Sequence, residues 1–216
     1  MRLTQAEFDE KRTQGTLRLA LIGMSNIGKS YTAQRLVRAE GFTCYDVDAA
    51  IQAEMGNPNM QEMAKWMGHP YTDGYAKKAA KYLALEAELS LKANTQIGNL
   101  ILDTTGSVVH IPDTAKQKLK DNFLIVYIKA SPADIDILTQ RYFKYPKPTI
   151  WGDSFQKISG KSNRASLLTC YPHLLKHRAK LYENMADISV QASVLTNQDL
   201  KDADILPLLQ SCTDKD

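Results

Sequence analysis

The sequence lacks the features that mark secreted, membrane-spanning and nucleic-acid-binding proteins. It has only three cysteines, at positions 44, 170 and 212, too few and too far apart for a disulfide framework or a zinc motif. No apolar run approaches the roughly 20 residues that cross a bilayer, and the first residues lack the apolar core of a secretory signal. The net charge is only +3, too small to indicate nucleic acid as a partner. We therefore expect a cytoplasmic protein that binds neither membranes nor nucleic acids.

The alternation of apolar runs with helical segments predicts an α/β fold. A chain of 216 residues is long enough for one domain with a substantial core. Strands that alternate with helices favour a parallel sheet with helices on both faces. We therefore expect a single three-layer α/β/α domain over residues 1–216, built on a five-stranded parallel sheet. The predicted strands cover residues 17–22, 42–45, 100–102, 123–128 and 188–190.

Local capping signals predict where several helices begin. Thr4 and Glu7 form a capping-box pattern, which predicts a short helix over residues 4–12 within an N-terminal extension of residues 1–16. Ser131, followed by a proline, predicts the start of another helix. Two further stretches, 75–93 and 198–210, are predicted to be helical, and a polar break is predicted at 56–59.

Residues 23–30 fit the phosphate-loop pattern G-x-x-x-x-G-K-[ST] at every fixed position. Gly23 and Gly28 let the backbone turn tightly and approach a ligand, so the N–H groups of the loop can cradle phosphate oxygens at the start of a helix. We expect Lys29 to reach the β- and γ-phosphates and the Ser30 hydroxyl to ligate Mg²⁺. The predicted nucleotide-binding residues of this segment are Gly23, Ser25, Asn26, Ile27, Gly28, Lys29, Ser30 and Tyr31.

Three aspartates follow predicted strands and could take part in phosphoryl transfer. Beside a phosphate loop, Asp46 is a candidate for the Mg²⁺ shell together with Ser30, and Asp48 could project beside an acceptor hydroxyl. Asp103 follows Leu-Ile-Leu and is either a Walker-B-type carboxylate or a simple cap at the strand end. Residues 103–106 also match the D-x-x-G of GTPases, but the nearest match to the guanine motif of that class lacks its lysine.

Residues 144–165 interrupt the α/β pattern with prolines, glycines and cations. The stretch is either a solvated loop or a mobile lid that closes over phosphates, and a phosphate loop elsewhere in the chain favours the lid. The cations of the stretch include Lys157, Lys161 and Arg164. Aromatic residues in and just before it either cover a bound ligand when the lid closes or pack the lid base, and packing is the favoured interpretation: Tyr142, Tyr145, Trp151 and Phe155.

Four pieces of the chain, between about residues 17 and 191, resemble the shikimate kinase family of phosphate-loop proteins. The last piece is the most specific, because it is close to the family pattern R-x-P-L-Y-x-x-x-A-D. The pieces are residues 21–30, Tyr-Asp-Val-Asp at 45–48, residues 128–132 with Arg141 and Lys147-Pro148, and Arg-Ala-Lys-Leu-Tyr-Glu-Asn-Met-Ala-Asp at 178–187.

The resemblance implies a phosphate-loop kinase fold and a kinase that moves the γ-phosphate of ATP to a hydroxyl of a small metabolite, with Mg²⁺ as its metal ion and ADP as its product. Asp46 would hold the Mg²⁺ shell through water. Asp48 would bind the acceptor hydroxyl and orient or deprotonate it. Lys147 would contact the transferring phosphate, and Arg141 would lie near the adenine.

The resemblance also implies an acceptor site. Arg178 would pair with a carboxylate of the acceptor, a role suited to a planar bidentate donor. Thr105 and Gly106 correspond to the turn that lines the acceptor pocket. Helices within residues 49–95 would form the acceptor-binding flap, and residues 144–165 the lid.

Two departures from the family pattern concern this acceptor site. The family has a G-G-G turn after the third strand, whereas this chain has Asp-Thr-Thr-Gly at 103–106, with side chains in place of bare backbone. The family also has a carboxylate-binding arginine in F-R-x-x-E, whereas this chain has Tyr-Leu-Ala-Leu-Glu at 82–86 and so Leu83 at that position. The alternative hypothesis is therefore a nucleotide-binding module that has lost the acceptor site and regulates or binds a partner.

Overall fold

The computed structural model describes residues 3–56 and 59–213, and its centre is a single sheet of five parallel strands. The strand order is β2-β3-β1-β4-β5, and all neighbouring pairs are parallel. The predicted five-stranded parallel sheet is confirmed, with each strand displaced by no more than one residue at either end. The strands are β1 (Arg18–Ile22), β2 (Thr43–Asp46), β3 (Leu100–Asp103), β4 (Leu124–Lys129) and β5 (Ile188–Gln191).

Helices cover both faces of the sheet. From β1 to β2 the chain moves towards one edge of the sheet, and from β2 onwards it moves towards the other edge. Because parallel crossovers are right-handed, this reversal places α2 on one face and α5, α6 and α8 on the other. The helices are α1 (Gln5–Thr13), α2 (Lys29–Glu40), α3 (Val47–Met55), α4 (Met60–Met67), α5 (Tyr75–Lys92), α6 (Asp113–Asn122), α7 (Pro132–Lys144), α8 (Asn163–Met185), α9 (Ala192–Leu195) and α10 (Ile205–Gln210). Short 3₁₀ turns occupy Ala93–Thr95, Val108–His110, Gly152–Ser154 and Asp202–Asp204.

The capping signals are confirmed where helices α1 and α7 begin. The Thr4 side chain accepts the Glu7 N–H and the Glu7 carboxylate accepts the Thr4 N–H, which is the complete capping box. Ser131 caps α7 in the same reciprocal way with Asp134. Helix α1 packs against the rest of the domain, since its Phe8 side chain is buried in the core.

The predicted helix over 198–210 is wrong in its first half. Only the turn Asp202–Asp204 and α10 are helical there. The Asn197 side chain accepts the Asp199 N–H at 3.0 Å, and the Leu200 carbonyl accepts a hydrogen bond from the buried Arg35. These local and tertiary bonds use the backbone groups that a helix would have needed.

The predicted polar break lies between α3 and α4. Gly56 ends α3 in the left-handed region, at φ 64°, where a residue without Cβ is favoured. Asn59 caps α4 by accepting the Glu62 N–H at 2.9 Å. The other two residues of the break, 57 and 58, lie outside the described residues. Within residues 3–56 and 59–213, no helix has the length and apolar character needed to cross a membrane.

The sheet brings three polar segments to one edge. In the strand register Asp103 lies beside Leu21 of β1 and beside Asp46 of β2. The loop that follows β1 therefore starts next to the ends of β2 and β3. Ligands of open α/β sheets bind at this carboxyl edge, and the predicted phosphate loop and Asp residues meet there.

Candidate active site

The loop after β1 has the backbone conformation that its glycines predict. Gly23 has φ +146°, and a Cβ there would lie 2.7 Å from the Ile128 carbonyl oxygen. Gly28 has φ +113° and immediately precedes α2. Asn26 is in the left-handed region as well, at φ 65°. Left-handed backbone at a non-glycine residue carries strain and often marks a functional site.

Lys29 lies inside this loop and is buried. Its Nζ donates to the carbonyl oxygens of Gly23 and Met24, both at 3.1 Å. Burial lowers the pKa of Lys29, and the nearby carboxylates of Asp103 and Asp48 oppose that shift. The ammonium group is thus held at the centre of the loop, where it can meet phosphates that enter from the cavity.

A polar cavity of about 270 Å³ opens beside the loop. Arg141 of α7 lines it and donates from Nη1 to the Asn26 carbonyl at 3.3 Å. Two predicted nucleotide-binding residues, Gly23 and Ile27, do not line this cavity. The Ile27 side chain is buried, and its N–H donates to the Met24 carbonyl at 3.3 Å. The lining residues are Ser25, Asn26, Gly28, Lys29, Ser30, Tyr31, Asp48, Thr104, Arg141 and Lys147.

Asp46 and Asp48 take different positions at the end of β2. Asp46 is exposed and caps α3, because its Oδ1 accepts the Ala49 N–H at 3.0 Å. Asp48 lies in the first turn of α3 and faces the cavity, where its Oδ2 is 3.5 Å from the Nζ of Lys147. Burial raises the pKa of Asp48, while Lys147 and Lys29 act in the opposite direction.

Asp103 is buried at the end of β3 beside the loop. Burial raises the pKa of Asp103, whereas the charge of Lys29 and the nearby Ser30 hydroxyl act in the opposite direction. Its Oδ1 has no hydrogen-bond partner among the described residues. This geometry favours the Walker-B-type role over a strand-end cap, since a cap would use its oxygens on backbone N–H groups.

Oxygen donors suited to Mg²⁺ therefore surround the start of α2. The unpaired Asp103 oxygen, the Ser30 hydroxyl and the exposed Asp46 carboxylate fit the preference of Mg²⁺ for hard ligands, water and substrate phosphates. In the part of the chain that the structure describes, no group of three or more His, Cys, Asp and Glu side chains could hold a metal ion. Nucleotide phosphates and water would have to complete the shell.

A second, much smaller cavity adjoins the first. Its free space is about 10 Å³, which is room for about one water molecule. Ser25, Asp48 and Lys147 line both cavities and so lie at their boundary. The predicted acceptor-site residues Thr105, Gly106 and Arg178 line the second cavity. The structure thus brings the predicted donor and acceptor residues to two adjoining cavities.

A buried carboxylate underlies the acceptor turn. Glu86 of α5 accepts hydrogen bonds from Thr105 Oγ1 at 2.5 Å and from Ser107 Oγ at 2.6 Å. Burial raises the pKa of Glu86 to about 7, although both hydroxyl groups partly offset that effect. Sequence reasoning did not select Glu86 or Ser107. A signal for Glu86 did exist, because it is the last position of the Tyr-Leu-Ala-Leu-Glu match. Leu83 of the same match packs against the core and does not line the cavity.

Gly106 joins the phosphate loop to α8. A Cβ at Gly106 would lie 2.5 Å from Ser25 Oγ, so only glycine fits against the loop. Its carbonyl accepts from Arg178 Nη1 at 2.9 Å and from the Tyr182 hydroxyl at 2.6 Å. The turn after β3 is thus held between the donor loop and α8.

Arg178 is buried, and each of its three nitrogens donates to a protein group. Besides its bond to Gly106, its Nη2 donates to the Ile150 carbonyl at 2.6 Å and its Nε to His110 Nε2 at 3.2 Å. Burial, and then the Arg178 charge, lower the pKa of His110 to about 3, which keeps the imidazole neutral as an acceptor. The geometry gives Arg178 a structural role at the turn in addition to its place on the cavity wall.

The predicted lid begins with an anchored segment. The Tyr75 hydroxyl donates to the Thr149 carbonyl at 2.9 Å and accepts the Trp151 N–H at 2.8 Å. Trp151 is buried, as is Tyr142, so these aromatic residues pack the lid base as predicted. Tyr145 does not, since it is 55% exposed.

The cations further along the predicted lid do not reach the nucleotide cavity. Lys157 Nζ donates to the Lys161 carbonyl and Lys161 Nζ to Thr169, while Arg164 lines a separate aromatic cleft. Lys147 is the lid residue that lines the two cavities. The mobile-lid interpretation of residues 144–165 stays a prediction.

The strand order and the loop after β1 together define a phosphate-loop kinase fold. In sequence, the chain is 25% identical over 182 residues to the shikimate kinase of Thiobacillus denitrificans, with 81% of each chain covered. No protein-family profile matches it.

Solved structures of shikimate kinases have the same fold. The enzyme from Bacteroides thetaiotaomicron superposes with a TM-score of 0.62 at 17% identity, covering 90% of this chain and 97% of that one. The enzyme from Acinetobacter baumannii, in complex with shikimate, gives 0.61 at 18% identity, covering 92% and 93%. The chain is therefore shikimate kinase-like, and the resemblance drawn from its sequence is confirmed.

Proposed function

We propose that this protein is an ATP-dependent phosphotransferase that moves the γ-phosphate to a hydroxyl group of a small metabolite. The observation that carries the proposal is the pair of adjoining cavities, one lined by the phosphate loop and the other by the turn after β3. Asp48 and Lys147 line both cavities, with 3.5 Å between the Oδ2 and Nζ atoms. The similarity to shikimate kinases in sequence supports the same reaction class.

The donor half would hold ATP by charge and by backbone N–H groups. The loop and Lys29 would bind the phosphates, and Arg141 and Tyr31 would lie on the nucleoside side of the cavity. Mg²⁺, when bound, would offset the negative charge of the phosphates. Ser30, Asp46 and Asp103 are the residues that would hold its shell, directly or through water.

The acceptor half would position a hydroxyl group against the γ-phosphate. Asp48 would accept the hydroxyl proton, and its raised pKa makes it a stronger base than an exposed aspartate. Lys147 would shift from Asp48 to the transferring phosphate as negative charge develops there. Positioning and charge stabilisation of this kind are the main contributions of a protein to phosphoryl transfer.

Coupled ADP release tests the proposal. Purified protein would be assayed with ATP, Mg²⁺ and a panel of hydroxylated metabolites that includes shikimate. Lys29→Met is expected to abolish turnover, because it removes the ammonium group from the centre of the loop. Lys118→Met, at an exposed position on α6, is the matched control and should keep full activity. Activity retained in Lys29→Met would refute the assigned role.

One observation favours a second candidate, a nucleotide-binding module without kinase activity. The acceptor cavity has room for only about one water molecule, so a metabolite can enter only if its walls withdraw. Asp48→Asn separates the two candidates. For a kinase, this variant loses turnover but binds ATP normally, measured by calorimetry. For a module, the wild-type protein binds ATP equally well and turns over none of the panel.

A further inference from the structure

We propose that the acceptor is an uncharged polyol, selected by the hydroxyl groups of Thr105 and Ser107, and not a carboxylic acid. The inference rests on the proposed kinase function and concerns the acceptor half of the same site. It follows from the hydrogen bonds that the cavity walls already make, because these decide which groups remain free for a ligand.

The turn after β3 presents oxygen lone pairs to the cavity. Thr105 Oγ1 and Ser107 Oγ both donate their protons to Glu86, at 2.5 and 2.6 Å. A hydroxyl has one proton and two lone pairs, so each oxygen can still accept a hydrogen bond. Thr105 uses one lone pair on the Ser107 N–H at 2.9 Å, and the two hydroxyl oxygens lie 2.9 Å apart with both protons donated to Glu86. The groups left for a ligand are acceptors, which match the O–H donors of a polyol and repel a carboxylate.

The buried cation on the cavity wall already gives most of its hydrogen bonds to protein groups. All three nitrogens of Arg178 donate to protein acceptors: the carbonyls of Gly106 and Ile150, and His110. These bonds hold the turn and the start of the predicted lid in place. A guanidinium has five N–H groups, so one N–H on each Nη remains beyond these bonds, in an orientation that the bonds to the two carbonyls fix. Among the described residues the wall therefore offers a carboxylate one partly used guanidinium and no second arginine, since Leu83 stands where the family pattern has one and packs against the core.

The remaining charges of the cavity balance each other. Lys147 and Asp48 face one another at 3.5 Å, and the proposed reaction assigns them to the transferring phosphate and the acceptor hydroxyl. Glu86 adds a carboxyl group just behind the turn, where it disfavours a second carboxylate through like-charge repulsion. A neutral ligand brings no charge that would lack a partner in the cavity, and Glu86 does not repel it.

The residues of the acceptor cavity that would select the ligand are held in place by hydrogen bonds. Thr105, Ser107 and Arg178 are held by the network just described, whereas Met60 and Pro148 close the cavity on other sides. Admission of a ligand requires space beyond one water molecule. Movement of Met60 and Pro148 would provide that space and leave the hydroxyl groups of the turn in place.

A matched pair of acceptors tests the proposal. Shikimate and its methyl ester share a ring and hydroxyl groups but differ in charge. Polyols from glycerol to myo-inositol, with the corresponding sugar acids, extend the comparison. ADP release gives kcat/KM at pH 8, where Glu86 is ionised, and calorimetry with Mg·ADP gives affinity. We expect the neutral member of each pair to be preferred by about tenfold or more, since buried groups that lack partners discriminate strongly.

The outcomes separate this inference from the kinase proposal. A preference for the acids, with turnover, overturns the inference and leaves the kinase in place. Tighter binding of the neutral members without turnover supports the inference and overturns the kinase. Absence of both turnover and binding for every acceptor, while ATP still binds, overturns both.

Glu86→Gln provides an independent test, because glutamine has nearly the same shape as glutamate and should preserve the packing. The new amide N–H would donate to one hydroxyl of the turn, so that hydroxyl would turn its proton towards the cavity. The preference for neutral acceptors should then fall by about threefold or more. Glu88 is on the exposed side of the same helix, where it pairs with Lys92. The control variant Glu88→Gln should leave the preference for neutral acceptors unchanged. An unchanged preference in a folded Glu86→Gln variant would overturn the role of the turn.

Discussion

The buried carboxyl of Glu86 makes the stability of the fold depend on pH, and Glu86→Gln should remove that dependence. Glu86 is fully buried, and among the described residues no cation lies within hydrogen-bond distance of it; the hydroxyl groups of Thr105 and Ser107 donate to its carboxylate. Glutamine has nearly the same shape, and the two hydroxyl groups can rotate so that one donates to its oxygen and the other accepts from its N–H. The substitution therefore removes the titration and keeps the packing.

The size of the effect follows from the raised pKa of Glu86. Burial moves this pKa from an ordinary 4.5 to about 7. Well below pH 4.5 the carboxyl is neutral in the folded and unfolded chains alike. Between the two values the unfolded chain has released the proton while the folded chain retains it, so the free energy of unfolding falls as the pH rises. One pKa unit corresponds to about 1.4 kcal/mol, so wild type loses roughly 3 kcal/mol relative to Glu86→Gln over this range.

Urea denaturation at several pH values between about 5 and 8 measures this difference. The free energy of unfolding of Glu86→Gln minus that of wild type should grow with pH and become constant above about pH 7. Other buried carboxyl groups, such as Asp48 and Asp103, titrate in both proteins and cancel in the difference. Glu88→Gln is the control and should show no such growth. A difference that stays flat with pH would refute the argument from burial.

Two further substitutions test contacts around the acceptor turn. Gly106→Ala places a Cβ 2.5 Å from Ser25 Oγ, so it should cost about 1–3 kcal/mol of stability and weaken ATP binding through the displaced loop; unchanged affinity by calorimetry would contradict this. Tyr75→Phe removes the hydroxyl that bridges the Thr149 carbonyl and the Trp151 N–H and should cost about 1–3 kcal/mol because both buried groups lose a partner; thermal denaturation with no change would show that water replaces it.

Predictions of helices and strands were confirmed where neighbouring residues in the sequence determine the structure, and one was wrong where a distant residue does. The five strands are short apolar runs ended by polar residues, and the sheet confirms each of them. The helix over 198–210 failed in its first half because the Leu200 carbonyl is bound by Arg35, a residue 165 positions away. No pattern within that stretch could have indicated such a bond.

The candidate site likewise contains residues that contiguous motifs indicate and residues whose role depends on tertiary contacts. Residues 23–30 and the pair Asp46 and Asp48 were selected from contiguous motifs, and the structure brings them to one sheet edge. Ile27 was predicted to bind nucleotide as part of the motif, yet its side chain packs into the core. Ser107 was not selected because a serine in a turn has no distinctive pattern until a buried carboxylate lies behind it.

The sequence alone determined the donor half of the site, because a phosphate loop is a continuous segment whose glycines, lysine and serine specify both the turn and its chemistry. Tertiary structure decided the acceptor half. Glu86 lies 19 and 21 residues from the hydroxyl groups that it binds, and Arg178 lies 72 residues from the Gly106 carbonyl. Packing of α5 and α8 against the turn after β3 sets these contacts, and the contacts determine which hydrogen-bonding groups are left for a substrate.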